Sequence, residues 1–237
     1  MPRYELFYWP EIQGRGEFVR LVLEDAGLDY VDIGRKDPDR IEAALEGELA
    51  PWAFAVPVLR AGDLVIPQTV AITRYLGERH GLAPADEAGR LHAHAIALTI
   101  ADLVNEVHDT HHPISVMDVY EKQREAAAQR ARVFREVRMP MFLGYLERLL
   151  GHDRTSDGRF LAGDRVSYAD LAAFQVIEGL RYAFPRALAR IAGDLPKLMA
   201  LRDRIAERPR IASYLASPRR LPFNQSGIFR HYPELDR

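Results

Sequence analysis

The chain has 237 residues, of which 48% are hydrophobic and 28% are charged, and its formal net charge is -2 at pH 7. This composition is typical of a globular protein with a sizeable core, and it gives no general electrostatic reason to bind nucleic acid or a membrane surface. The sequence contains no cysteine, which excludes disulfides and a cysteine nucleophile. We find no signal-peptide pattern and no membrane-spanning apolar run, and we expect a cytoplasmic protein.

The first third of the sequence predicts a small α/β unit. Short apolar or alternating runs indicate strands, and apolar residues at helical spacing indicate helices. The predicted strands are Tyr4–Trp9, Leu28–Ile33, Val56–Leu59 and Leu64–Ile66, and the predicted helices are Glu17–Ala26, Pro38–Leu45 (with Asp37 as N-cap) and Gln68–His80. A βαβ half followed by a ββα half is the thioredoxin-like arrangement.

The rest of the sequence predicts helices only. Their expected ranges are Glu87–Ile114, Val119–Leu150, a helix opening at Ser167, Leu195–Glu207 and Pro209–Leu215. Pro140 predicts a kink in the second of these, and Ser167 with Asp170 forms the pattern of a capping box. We therefore expect a thioredoxin-like α/β domain at 1–81, a linker at 82–86 and an all-helical domain at 87–237.

Two dipeptides in the α/β unit suggest a binding site. Pro57 opens a predicted central strand and cannot donate to its ladder, so we expect either a cis Val56–Pro57 bond that turns the Val56 backbone toward a ligand or a trans proline at a strand edge. Eleven residues after Pro57, Gln68 and Thr69 start a helix. The unpaired N–H groups there can bind a carboxylate, although plain capping is the alternative interpretation.

Tyr8 is the best-placed hydroxyl for chemistry. It lies at the C-terminal end of the first predicted strand, where ligands bind in open α/β sheets. No serine precedes Ser115 and no cysteine exists anywhere in the chain. The alternative is a core tyrosine whose hydroxyl is tied to the backbone.

The runs YELFYWPEIQGRGEFVRLVLEDAGLDY and VPVLRAGDLVIPQTVAITRYLGERHGL resemble the tyrosine-type classes of cytosolic glutathione transferases, and the likeness suggests a bacterial member. The resemblance implies that Tyr8 hydrogen-bonds the glutathione sulfur and favours its thiolate. It implies that Val56 pairs with the cysteinyl backbone and that Gln68 and Thr69 hold the γ-glutamyl carboxylate. Arg15 corresponds to the arginine that follows the tyrosine in the family.

The function implied is a cytoplasmic, homodimeric detoxification enzyme with glutathione as co-substrate. Its thiolate would attack a small hydrophobic electrophile or a peroxide in a pocket formed by Trp9, Ile12, His108 and His112. Two other functions stay open on the same fold. One is a non-catalytic glutathione-binding or interaction protein, and the other is a glutathione-dependent disulfide reductase.

Two polar groups of the helical region have competing interpretations. A stripe at helical spacing is either a wall of the glutathione site or a solvated face; it comprises Asp102, Asn105, Glu106 and Asp109. His108, His111 and His112 offer metal-ligand atoms, since 108 and 112 lie one turn apart. No paired ligand motif accompanies them, and we expect no metal site.

Overall fold

A computed structural model describes residues 4–47, 49–152 and 157–237. The N-terminal domain carries a four-stranded sheet in the order β2-β1-β3-β4. The strands are β1 Tyr4–Phe7, β2 Tyr30–Asp32, β3 Val58–Ala61 and β4 Leu64–Pro67. Strand β1 runs parallel to β2 and antiparallel to β3, and β3 pairs antiparallel with β4. This mixed sheet confirms the predicted thioredoxin-like arrangement.

Four helices flank the sheet: α1 Gly16–Ala26, α2 Ile33–Lys36, α3 Asp39–Leu45 and α4 Thr69–Arg79. Helix α1 ends at Gly27, whose φ of 65° and N–H bond to the Leu23 carbonyl form the left-handed cap that glycine favours. The short α2 was not predicted; it replaces the end of the predicted second strand, because β2 pairs with β1 over three residues only. The N-cap of α3 is Pro38 rather than Asp37.

Two predicted strand ends near the candidate site are wrong by two residues each. Strand β1 ends at Phe7, whose partner Val58 is the first residue of β3, so Tyr8 follows the strand instead of ending it. The predicted third strand started at Val56, before the ladder begins. The Val56–Pro57 peptide bond is cis, as the first interpretation expected.

From Glu87 onward the described residues form a helical domain. Its helices are α5 Glu87–Asp109, α6 Arg124–Val133, α7 Met139–His152, α8 Tyr168–Ala183, α9 Pro185–Ile191, α10 Pro196–Ala206 and α11 Pro209–Leu215. Helix α5 ends five residues earlier than predicted, and α9 was missed because it begins directly after α8. Within the described ranges no helix is both long and apolar enough to cross a membrane.

The predicted helix 119–150 is irregular in two places. A 3-10 turn at Tyr120–Gln123 precedes α6, and a π-helical turn at Phe134–Arg138 joins α6 to α7. Pro140 lies in the first turn of α7. The ring of Pro140 crowds the carbonyl of the residue four positions earlier, which lies in the π-helical turn. The irregularity expected from Pro140 therefore lies just before the proline.

The predicted capping box opens α8. The Asp170 carboxylate accepts the Ser167 backbone N–H at 2.8 Å and the Ser167 hydroxyl at 2.7 Å. Its other oxygen accepts the Leu161 N–H at 2.8 Å. All of these groups are buried, so the box also fixes the chain that leads into α8.

A buried charge cluster joins the two domains. Glu17 of α1 is 0% exposed and accepts hydrogen bonds from the Tyr214 hydroxyl at 2.8 Å and from Arg220 at 2.6 Å. Arg20, one turn along α1, bonds Glu17 at 3.3 Å and Asp32 at 2.8 Å. Every charged member therefore has an opposite partner, which a buried charge requires.

Candidate functional site

Tyr8 is held under a glycine-rich loop. It is 4% exposed, and its hydroxyl oxygen accepts the backbone N–H of Arg15 at 2.7 Å. A Cβ added at Gly14 would lie 2.0 Å from that oxygen, and one added at Gly16 would lie 2.5 Å from the ring. The loop can close over the phenol only because both positions are glycine.

The surroundings of Tyr8 keep its hydroxyl protonated. Burial raises the pKa of Tyr8, and it outweighs the Arg15 N–H and the charges of Arg15 and Arg20, which favour the phenolate. Because the oxygen already accepts one N–H, the O–H remains available to donate to an anion. The Tyr8 hydroxyl is therefore bonded to the backbone, as the interpretation of Tyr8 as a core tyrosine expected. It accepts in that bond, so its own proton can still be donated.

A cavity of 370 Å³ lies between the start of α4 and the side of α5. It brings together Arg15, Gln68 and Thr69, three of the predicted glutathione-binding residues. Other lining residues were not predicted; they include Phe18, Thr73, His94, Leu98 and Ala101. Tyr8 and Val56 are not among the residues that line it.

The start of α4 offers unpaired polar groups to this cavity. Gln68 has a φ of 72°, an uncommon value for a residue other than glycine, and its side chain does not cap the helix. The first intrahelical bond runs from the Ile72 N–H to the Gln68 carbonyl at 3.0 Å, so the three preceding N–H groups have no partner within the helix. The Thr69 hydroxyl oxygen is buried and has no hydrogen-bond partner among the described residues. Together these groups offer unpaired hydrogen-bond donors of the kind that a carboxylate accepts.

Arg15 and Asn105 also line the cavity. The Arg15 guanidinium donates to the Asn105 side-chain oxygen at 2.6 Å, and within the described residues Arg15 forms no ion pair. The predicted polar stripe thus splits. Asn105 faces the cavity, whereas Glu106 pairs with Arg138 at 2.6 Å and with Arg130 at 3.2 Å.

Three histidines pack together at the C-terminal end of α5. The rings of His108 and His112 stack with centroids 5.1 Å apart. The His111 Nε2 lies 2.8 Å from the Ile228 carbonyl, which can only accept, so Nε2 carries the proton. The Nδ1 atoms of His111 and His112 lie 2.5 Å apart, and His112 must be the donor of that bond.

These imidazoles are neutral near pH 7. Burial lowers the pKa of His108 to about 4 and that of His111 to about 3, and it also lowers the pKa of His112. Of the other residues predicted for the electrophile pocket, Trp9 is 40% exposed and Ile12 is half-buried against the core.

The C-terminal segment connects the loop after β1 with the end of α5. The Gln13 side chain donates to the Leu221 carbonyl at 2.5 Å, and the Asn224 side chain donates to the Glu11 carbonyl at 2.8 Å. His111 then holds Ile228. We define residues 221–231 as the tail strap.

Comparisons with known proteins agree with this architecture. Residues 108–218 match the family "Glutathione S-transferase, C-terminal domain". The chain is 26% identical over 218 residues to a glutathione S-transferase of Plasmodium falciparum (isolate 3D7), covering 90% of this chain and 95% of that protein. It is 28% identical over 228 residues to glutathione S-transferase P 1 of Xenopus laevis, covering 93% and 95%. The structure of a Pi-class glutathione S-transferase from Onchocerca volvulus has a TM-score of 0.72 at 25% identity, covering 94% of this chain and 98% of the other.

A small mixed-sheet domain followed by a helical domain is the architecture of the glutathione S-transferase fold class. Over most of its length the chain is similar to glutathione S-transferases, and it shares their fold. The relatives named above are eukaryotic, so the bacterial source and the tyrosine type stay predictions.

Proposed function

We propose that the protein is a tyrosine-type glutathione transferase in which Tyr8 activates glutathione for attack on a small hydrophobic electrophile or a peroxide. The observation that carries the proposal is the cavity where Arg15 faces Gln68 and Thr69. It combines a positive charge, a helix N-terminus and an unpartnered hydroxyl, which suit the γ-glutamyl end of glutathione.

The remaining contacts of glutathione follow from the free groups around that cavity. The γ-glutamyl carboxylate binds the first-turn N–H groups of α4 and the Thr69 hydroxyl, and Gln68 adds its amide. In the described chain the N–H and carbonyl of Val56 take part in no hydrogen bond. They are free to pair with the cysteinyl backbone as an added strand would.

Tyr8 supplies the step from thiol to thiolate. A free thiol has a pKa of about 8.5, so only a few per cent is ionised near neutrality. One hydrogen bond from a neutral hydroxyl to an anion stabilises it by about 1.5–3 kcal/mol, enough to lower the thiol pKa by one to two units. The neutral, buried Tyr8 meets this requirement, and the Arg15 N–H on its oxygen strengthens it as a donor.

The thiolate then reacts in a cleft formed by Trp9, Ile12, His108 and His112. The sulfur forms a bond to the electrophilic carbon, and the leaving group departs with the bonding electrons. With a peroxide, the sulfur attacks oxygen and an alkoxide leaves. Because the histidines are neutral, they add no positive charge to the cleft.

The test compares Tyr8→Phe with Tyr4→Phe, which removes a hydroxyl at the opposite end of the same strand. We expect Tyr8→Phe to bind glutathione but to lose roughly 10- to 100-fold in kcat with 1-chloro-2,4-dinitrobenzene, since one charge-assisted hydrogen bond is lost. The thiol pKa of bound glutathione, measured by thiolate absorbance, should rise by one to two units. Tyr4→Phe should change neither quantity.

Gln68→Ala should weaken glutathione binding and leave the thiol pKa of the bound peptide unchanged. A thermal melt of each variant controls for folding, because Tyr8→Phe also leaves the Arg15 N–H without its acceptor. Binding without turnover on electrophiles, peroxides and disulfides would favour a non-catalytic glutathione-binding protein. Turnover of disulfides alone would favour a disulfide reductase.

We also propose a cytoplasmic homodimer that serves detoxification, with domain boundaries at 81 and 87 and no metal in the reaction. The support for a dimer is a set of exposed apolar side chains: Phe54, Trp52, Leu91 and Leu98. Light scattering that gave the mass of one chain would contradict the dimer.

A further inference from the structure

The three histidines at the end of α5 bring metal-ligand atoms into a small volume. Candidate ligand atoms of His108, His111 and His112 all lie within 4.8 Å of one another. The centroid of the His108 ring is 5.0 Å from that of His111 and 5.1 Å from that of His112, so His108 stands at nearly equal distance from the other two. Spacing in the sequence follows no paired ligand motif, and the expectation drawn from it was that no metal binds here. The fold brings the three side chains together all the same.

A backbone acceptor already fixes the tautomer of His111. Its Nε2–H donates to the Ile228 carbonyl at 2.8 Å, so its Nδ1 atom carries a lone pair. Histidines that bind metal ions almost always donate their other ring N–H to a carbonyl or a carboxylate in this way. The bond is buried, and it holds the His111 ring in the orientation that a metal ligand needs.

A positive centre must lie between His111 and His112. Their Nδ1 atoms are 2.5 Å apart, and two lone pairs cannot face each other at that distance. Without a metal ion, the Nδ1 proton of His112 fills this position. A metal ion can replace it if that proton moves to Nε2 of the same ring, which leaves the imidazole neutral.

The rearrangement that a bound ion requires is small. In a tetrahedral site with metal–nitrogen bonds of about 2.0–2.1 Å, ligand nitrogens lie about 3.4 Å apart. The pair formed by His111 and His112 therefore has to open by about 1 Å. His108 is half-buried, so its ring can approach the ion by rotation of its side chain.

The chemistry of the cluster selects a transition metal ion. Its ligands are imidazoles, and no carboxylate of the described residues joins them. Imidazole suits Zn²⁺, Cu²⁺ and Ni²⁺, whereas Mg²⁺ and Ca²⁺ prefer oxygen ligands. The three imidazoles are neutral near pH 7, which is the form that binds a metal ion. The charges of Arg15 and Arg230, which help to keep His108 neutral, also oppose a dication, so we expect weaker binding than in closed structural zinc sites.

We propose that His108, His111 and His112 bind one divalent transition metal ion such as Zn²⁺, with water in the fourth position, and that the ion fastens the tail strap to the end of α5. A metal ion at Nδ1 keeps the proton of His111 on Nε2, where it bonds Ile228 of the strap. The ion takes no part in the proposed reaction, and the inference does not depend on that reaction.

The experiment titrates the tag-free protein with Zn²⁺ by calorimetry. Glutathione is left out, because its thiolate would itself bind the metal ion. We expect one ion per chain and a melting temperature that rises with Zn²⁺ concentration, since the ion binds the folded state. With Cu²⁺ in place of Zn²⁺, the electron paramagnetic resonance spectrum should show coupling to three imidazole nitrogens.

His108→Gln and His112→Gln should each weaken Zn²⁺ binding at least about tenfold, because each removes one of three ligands. The matched control, His92→Gln, makes the same change at an exposed position on α5 and should bind Zn²⁺ as the unmodified protein does. Thermal melts without metal check that each variant folds. His108 is only half-buried, so His108→Gln keeps the test decisive if His112→Gln does not fold.

Failure of the unmodified protein to bind Zn²⁺ at millimolar concentration would overturn the inference. Equal losses of Zn²⁺ binding in His92→Gln and His108→Gln would also overturn it, as would a Cu²⁺ spectrum with a single coupled nitrogen. Each of these results leaves the proposed function standing, because conjugation of 1-chloro-2,4-dinitrobenzene is measured separately without added metal.

Discussion

Two arginine sites at the domain boundary are built in opposite ways. Arg20 is fully buried and lies between Glu17 and Asp32. Arg15 and Arg230 are half-buried, and among the described residues their guanidiniums donate only to an amide oxygen and to backbone carbonyls. A buried charge must be matched within the protein, whereas a charge at a cleft can stay unmatched until a ligand arrives. The first site therefore joins the domains, and Arg15 of the second remains available to bind.

The buried site also positions the candidate catalytic residue. The Arg20 guanidinium lies 5.7 Å from the centroid of the Tyr8 ring, within the range of a cation–π contact. Gln13, in the loop before α1, accepts the Gln175 side-chain amide at 2.8 Å. The contacts that hold the two domains together thus hold the loop over Tyr8.

The largest effect should follow Glu17→Gln. Removing this buried charge leaves Arg20 and Arg220 with a weaker acceptor, and breaking a buried ion pair typically costs about 3–5 kcal/mol of unfolding free energy. Urea denaturation measures it. Glu11→Gln, the same change at an exposed position, is the control and should stay within about 0.5 kcal/mol. Equal stabilities of the two variants would contradict the comparison.

An intermediate effect should appear as acid sensitivity. The buried His111 keeps a pKa of about 3 in the folded protein. In the unfolded chain its pKa is about 6.5. Between these values the unfolded state binds the extra proton, so the free energy of unfolding falls as pH is lowered below 6.5.

Lowering the pH from 7.5 to 4.5 should reduce the free energy of unfolding of both proteins. We expect the reduction to be about 2 kcal/mol smaller for His111→Gln than for the unmodified protein. Urea denaturation at the two pH values gives this difference. Glutamine can still donate to the Ile228 carbonyl, so the variant removes the titration and keeps a donor. Parallel losses in both proteins would show that His111 is not held neutral by the fold.

The smallest effect on stability should come from Arg230→Gln. Since its guanidinium has no carboxylate partner in the part of the chain that the structure describes, we expect the free energy of unfolding to change by less than about 0.5 kcal/mol. The same urea titration measures it. A loss as large as that of Glu17→Gln would mean that Arg230 is a structural residue, and the contrast between the two sites would fail.

The sequence predicted those parts of the molecule that depend on local patterns. The order of the strands and of the longer helices and the capping box at Ser167 rest on neighbouring residues, and the same kind of pattern made a cis bond before Pro57 one of two open interpretations. The proximity of Arg15, Gln68 and Thr69 was predicted through the family resemblance, and the cavity brings them together. Their roles toward glutathione stay proposals.

What the sequence could not predict depends on distant partners. The bond between Glu17 and Tyr214 joins residues 197 positions apart, and no periodicity reports it. The unpaired state of Arg230 among the described residues is also invisible, because it depends on where Glu234 and Asp236 find their donors. Element ends such as that of β1 were missed because the ladder with β3, rather than residue type, decides them.

Gly14 and Gly16 show how the absence of side chains can hold a candidate catalytic group in place. With the loop closed at van der Waals distance, the Tyr8 ring has little freedom left to turn before any ligand arrives. The entropy cost of ordering the Tyr8 hydroxyl arises during folding. Ligand binding therefore does not include that cost. Two side chains that the protein lacks thus fix the orientation of its phenol before any ligand binds.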